Sequence, residues 1–203
     1  LIIDTYIKKT SSNKISVLEV GLAYGTSALI ILNCLIKSKL KGYHLILDPN
    51  QTKQWNSIGI KNINQFLSTY DLDNNIKYKL CEKFSQDAMP KINTKFDIIF
   101  IDGSHDEKIV IQDIKNSDRI LKNNGIMILD DVLHDGVRKA IYWFVNKYKN
   151  YKRISVNLSN DLVNDLTDEI FDSDSTNSIN STDSTNSTNS TNSTNSTNST
   201  NST

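Results

Sequence analysis

Short strand-type runs that alternate with longer helix-type segments constrain this chain more than any other feature. Residues 15–20 (I-S-V-L-E-V), 43–48 (Y-H-L-I-L-D), 76–81, 96–102 (F-D-I-I-F-I-D) and 125–130 (G-I-M-I-L-D) read as strands. Between and after them, residues 26–39, 58–70, 85–89, 107–121 and 136–148 read as helices. Val110, Ile114, Ser117 and Leu121 recur at helical spacing, as do Val137, Ile141, Phe144 and Tyr148. A sixth strand is expected at 151–158. Near-continuous apolar strands are those of a parallel sheet covered on both faces. Their alternation with helices predicts a doubly wound, mostly parallel, Rossmann-like α/β domain with right-handed crossovers.

That domain ends near residue 171. From Asp172 onward Ile179 is the only large apolar residue, and the rest is Ser, Thr, Asn and Asp in near-perfect repeats. Such a segment cannot bury enough apolar surface to offset its ordering entropy, so residues 172–203 are expected to be a disordered low-complexity tail. The remaining residues 1–171 suffice for one core. The chain opens at Leu1 rather than Met and reads as a fragment or a processed product whose N-terminal part is missing.

Twenty-three basic residues balance 23 acidic ones, without the basic excess of a dedicated nucleic-acid binder. Lys147 to Arg153, interleaved with Tyr148 and Tyr151, could track a phosphate backbone but reads better as a solvated helix end. Cys34 and Cys81 sit in apolar runs, where free thiols behave as small hydrophobes. No apolar stretch reaches the roughly 18 residues of a membrane span, and no signal peptide is visible. The expected location is the cytoplasm, of a host cell if the chain is viral.

The first strand runs through Glu19-Val20-Gly21-Leu22-Ala23-Tyr24-Gly25-Thr26-Ser27 into a helix. Ligands of doubly wound folds bind at this carboxyl edge of the sheet. A nicotinamide loop wants G-x-G-x-x-G around a pyrophosphate, whereas here Ala23 stands where the second glycine would be. The spacing suits a ligand without phosphates, such as an adenosyl–amino-acid compound. Glu19 could accept from its ammonium, and backbone N–H groups near Gly21 and Ser27 could meet its carboxylate. Asp48 ends the second strand 23 residues beyond Gly25, where an acid can hold ribose hydroxyls. Each feature alone is a common turn.

Asp102 ends the fourth strand, and Asp130 and Asp131 end the fifth. If those strands are neighbours, three carboxylates crowd one rim. Two unit charges roughly 4 Å apart repel by about 4 kcal/mol at an effective dielectric near 20. A proton, a basic residue or a cation must relieve this. Three hard oxygen ligands suit Mg²⁺ or Ca²⁺ better than Zn²⁺. His105 follows Asp102-Gly103-Ser104, on a turn that would aim it at the crevice, and an imidazole can take a hydroxyl proton near neutral pH. The plainer alternative makes Asp130 and Asp131 helix caps and His105 a loop residue.

Taken together, V-L-E-V-G-L-A-Y-G-T-S-A, Asp48, S-Q-D-A-M-P, F-D-I-I-F-I-D-G-S-H and L-K-N-N-G-I-M-I-L-D-D-V resemble class I S-adenosylmethionine-dependent methyltransferases. The branch resembled is that of the metal-dependent, catechol-type O-methyltransferases, over residues 17–144. The resemblance implies that Glu19, Gly21, Gly25 and Ser27 hold the methionine end of S-adenosylmethionine and Asp48 the ribose. It places Ser85 and Gln86 beside the adenine, and Asp102, Asp130 and Asp131 as ligands of Mg²⁺ or another divalent cation. His105 stands where those enzymes carry a lysine base, and Asp131 where they usually carry asparagine. The implied reaction methylates a small-molecule hydroxyl, with Asp102 and His105 as its catalytic groups. Alternatives on the same fold are a non-catalytic cofactor-binding module, a nicotinamide oxidoreductase, and a methyltransferase acting on RNA or a sugar.

Overall fold

A computed structural model describes residues 2–70 and 75–152. Every expected strand up to residue 130 is present, in five parallel strands: β1 (Lys14–Val20), β2 (Lys41–Leu47), β3 (Ile76–Cys81), β4 (Phe96–Ile101) and β5 (Leu121–Leu129). Their order across the sheet is β3-β2-β1-β4-β5. Successive connections therefore run outward from β1 in one direction and then, after β3, in the other. The reversal falls between β1 and β4, where a crevice opens beyond the strand ends.

Side-chain alternation along β1 explains the two layers of helix. Ile15 and Val17 face α1 (Ile2–Lys9), α2 (Thr26–Ser38) and α3 (Ile58–Leu67), joining Ile7, Leu32, Leu35 and Ile63 in one core. Leu18 and Val20 point to the opposite face and pack with Met89, Val110, Ile114, Val137 and Phe144. That second layer belongs to α4 (Ser85–Ala88), α5 (Glu107–Ile120) and α6 (Asp135–Lys147). Leu32, Leu35 and Ile114 are fully buried, and each such side chain contributes about 1.5–3 kcal/mol.

Local chemistry sets the boundaries. Asp106 caps α5 by accepting from the backbone N–H groups of Lys108 and Ile109. Pro90 follows α4 in a 3₁₀ turn (Met89–Lys91), leaving this helix four residues long. As a result the β2–β3 side of the second layer is poorly covered. A groove of about 630 Å³, open to solvent, runs there over Tyr43, Leu45 and Leu47 with Lys79, Lys83 and Lys91 at its margins.

Two differences from the sequence reading have physical causes. Residues before β1 form α1, whose Tyr6 and Ile7 anchor it to the first layer. β5 begins at Leu121, four residues before the expected start. Asn124 takes a left-handed φ of 61° and the pairing with β4 shifts register between Phe96 and Ile98, so the Asn-Asn-Gly stretch bends within the strand. In agreement with the sequence reading, the basic stretch is a helix end: Lys147 closes α6 over the Trp143 ring, and Tyr148 and Tyr151 pack against Phe144. The expected sixth strand, beyond its first two residues, and the tail from Asp172 lie outside the described residues. Cys34 and Cys81 are free thiols. Among the described residues no helix is long and apolar enough to cross a membrane.

Candidate active site

The turn after β1 is built so that only glycine fits its first position. Gly21 has φ 95°, and a Cβ there would stand 2.0 Å from the carbonyl oxygen of Asp102. Its N–H donates to Leu47 O at 2.8 Å, and Asp102 N–H donates to Val20 O at 2.8 Å. The ends of β1, β2 and β4 thus meet at one residue. Gly25, with φ 85°, precedes α2 and approaches the backbone of Gly59. Ala23 between them is also left-handed, at φ 46°.

Asp48 faces this turn and is almost fully buried. Its Oδ2 accepts from the N–H groups of Leu22 (3.1 Å) and Ala23 (3.0 Å) and from Gln51 Nε2 (3.0 Å). Its Oδ1 accepts from Asn50 N–H at 2.8 Å. Gln51 also donates to Ala23 O at 2.8 Å, completing a clamp on the turn. Sequence reading missed Gln51, since a glutamine in a loop carries no pattern of its own.

Glu19 lies beneath the turn rather than open to the crevice. It is fully buried, accepts from the Ser27 hydroxyl, and stands 2.8 Å from His44 Nε2, which is equally buried. Register explains the meeting: Glu19 pairs with Ile46 across β1 and β2, and His44 lies two residues earlier on the same face. His44 was invisible to the sequence reading, as one polar residue in an apolar run. Ser85 and Gln86 open α4 beyond β3, with Ser85 buried and its hydroxyl 3.4 Å from Gln86 Oε1. The β3 exit is tied to the β2 exit through Glu82, which accepts from Thr52 N–H and hydroxyl.

On the other side of β1 three carboxylates reach one recess. β4 and β5 are parallel neighbours with Ile101 opposite Leu129, so Asp102 and Asp130 leave adjacent strands side by side. Asp102, His105, Asp130 and Asp131 line a small recess floored by Ile101 and Leu129. Burial, then the charges of Asp130, Asp131 and Glu19, push the Asp102 carboxyl up to about 6, with His105 acting in the opposite sense. His105 Nε2 lies 2.6 Å from Asp131 Oδ2, and its ring stacks on His134 at 3.9 Å between centroids. His134 went unnoticed in the sequence because it reaches His105 only through the pairing of β4 with β5. Its placement at the start of α6 carries no motif.

Residues 18–132 match a family model described as a methyltransferase domain. No curated protein sequence matches the chain. Several solved structures share its fold. An O-methyltransferase from Bacillus cereus, in complex with SAH, is 16% identical with a TM-score of 0.52, the match covering 76% of this chain and 68% of that one. TomG from Streptomyces achromogenes, an O-methyltransferase of tomaymycin synthesis in complex with SAM, is 11% identical with a TM-score of 0.53, over 74% and 69%. CalS11, a TDP-rhamnose 3'-O-methyltransferase of calicheamicin biosynthesis in its apo form, is 11% identical with a TM-score of 0.55, over 68% and 64%.

Proposed function

The chain belongs to the methyltransferase-domain family, and from that premise we propose that it methylates a small-molecule hydroxyl with S-adenosylmethionine and the help of a divalent cation. The observation that carries this reading is the junction at Gly21, where the clamped turn and the backbone of Asp102 come within contact of each other.

Gly21, Gly25 and Ser27 shape the turn that receives the methionine end. Glu19, sealed between Ser27 and His44, holds that shape from below. Asp48 offers Oδ1, engaged by one backbone N–H, to the ribose hydroxyls. Ser85 and Gln86 flank the adenine. A divalent cation is the occupant we assign to the recess that Asp102, Asp130 and Asp131 line, where burial first and the charges of the other two acids second raise the Asp102 carboxyl. Asp102, Asp130 and Asp131 would hold it, and a hard ion such as Mg²⁺ suits three carboxylates.

When bound, the cofactor supplies an electrophilic methyl group and the cation lowers the pKa of the acceptor hydroxyl. The protein's own residues do the rest. His105, held through Nε2 by Asp131, keeps its other ring nitrogen, Nδ1, to accept the hydroxyl proton. The bound cofactor would supply the methyl carbon and keep the carbon–sulfur electron pair on sulfur, leaving the turn and the rim to align the acceptor oxygen with it. Alignment of this kind can supply roughly 7–11 kcal/mol.

The test is transfer of a labelled methyl group to a panel of catechols, sugars and RNA, with Mg²⁺ or with chelator. Asp102→Ala is expected to abolish transfer while cofactor affinity, read by calorimetry, falls little. Full activity of that variant in chelator would remove the cation from the reaction. Cofactor binding without transfer to any acceptor would favour a binding module.

A further inference from the structure

His105, Asp131 and His134 form a second cluster whose donor set differs from that of the three acids. One ligand atom from each lies within 4.8 Å of the others, and all three side chains are exposed. The trio is assembled by backbone rather than chance contact. Gly136 lies so close to the His105 segment that a Cβ on it would stand 2.1 Å from His105 O and 2.9 Å from Glu107 N. His134, at the N-terminal boundary of α6, donates its N–H to Asp131 O at 2.9 Å. Two loops that leave neighbouring strands are thereby pressed together with their imidazoles stacked.

We infer that His105, Asp131 and His134 form a site for a borderline divalent transition-metal ion, Zn²⁺ or Co²⁺, whose binding inhibits methyl transfer. Two imidazoles and one carboxylate favour such ions over Mg²⁺, which prefers all-oxygen surroundings. Bonds of about 2.0–2.2 Å to nitrogen and oxygen require the ligand atoms to rearrange around the ion, the 2.6 Å contact between His105 Nε2 and Asp131 Oδ2 opening to admit it. Rotation of exposed side chains accomplishes this without moving the strands. Three protein ligands leave a fourth position for water. Inhibition follows because coordination through His105 Nε2 leaves Nδ1 protonated, so the ring cannot take the acceptor's proton. This inhibitory half rests on the reading of His105 as the base, whereas ion binding does not.

The experiment titrates the metal-free full chain with Co²⁺, follows visible absorption, and displaces the ion with Zn²⁺. Losing a residue that merely orients a metal ligand typically costs roughly 10–100-fold in affinity, so His134→Ala, which deletes a direct ligand, should weaken Co²⁺ binding by about 100-fold or more. Asp102→Asn should leave Co²⁺ binding near wild type. In the methyl-transfer assay Zn²⁺ should inhibit the wild type, whereas the activity that His134→Ala retains should be insensitive to Zn²⁺. Absence of a Co²⁺ signal, its persistence in His134→Ala, or its loss in Asp102→Asn would overturn the site. A Co²⁺ signal with the expected variant pattern in a protein that transfers no methyl group would uphold the site and refute the catalytic reading instead.

Discussion

Asp131 has φ 53°, in the left-handed region that non-glycine residues rarely enter and that Asn and Asp tolerate best. This backbone brings its carboxylate back onto His105, so both the residue type and its conformation serve the rim. Gly21 is the stricter case. Gly21→Ala would drive a methyl group into the Asp102 carbonyl. Overpacking and left-handed strain each cost about 1–3 kcal/mol, so chemical denaturation should register a loss of about 2–6 kcal/mol, with cofactor binding impaired. Stability equal to wild type would mean the turn and the β4 exit are not in contact. Gly21, Asp48, Asp102 and Asp130 stand out in the sequence because each directly follows the last residue of a strand. Glu19 was legible as a residue but not in its surroundings, since only strand register reveals that His44 covers it.

At the scale of elements, α5 carries the clearest electrostatic consequence. Asp113 is buried on its inner face, neither oxygen having a hydrogen-bond partner of good geometry. Burial pushes its pKa from 3.8 to about 6, and the Ser85 hydroxyl offsets part of the shift. Between those two values the folded chain keeps a proton that the unfolded chain has released. Stability therefore falls as pH rises from about 4 to about 6, and the full penalty applies above that. Asp113→Asn should raise the melting temperature at pH 7.5, by a gain of about 1–3 kcal/mol, and give no such gain at pH 4. An equal effect at both pH values would assign the change to packing. Cap chemistry on the same helix is simpler: Asp106→Ala should cost about 1 kcal/mol in thermal unfolding. Element types followed from periodicity, and residues 76–81 match β3 end to end. Boundaries did not: β5 extends through Asn124, where pairing with β4 overrides a local turn signal. The eight residues of α1 are too few to show a period of their own, so packing on α2 determines them.

Over the described residues as a whole, both apolar cores form without ligand, while the polar groups of the proposed site collect beyond the strand ends. The cofactor should then stabilise by mass action rather than by completing a core. At a hundredfold excess over Kd this is worth about 2.7 kcal/mol. For a domain of this size the melting temperature should rise by about 5–11 °C. A shift far below that at saturation would argue against specific cofactor binding. Sheet order and the thin cover over β2–β3 depend on how elements pack and on the brevity of α4, so no local pattern announced the lysine-flanked groove.

Asp48 already grips the amides of Leu22 and Ala23. Those two hydrogens should therefore exchange slowly with deuterated solvent even when no ligand has arrived, and hardly slow further once one does. The loop is a mould cast in advance, and any ordering that accompanies turnover should register instead in the amides around His105 and His134.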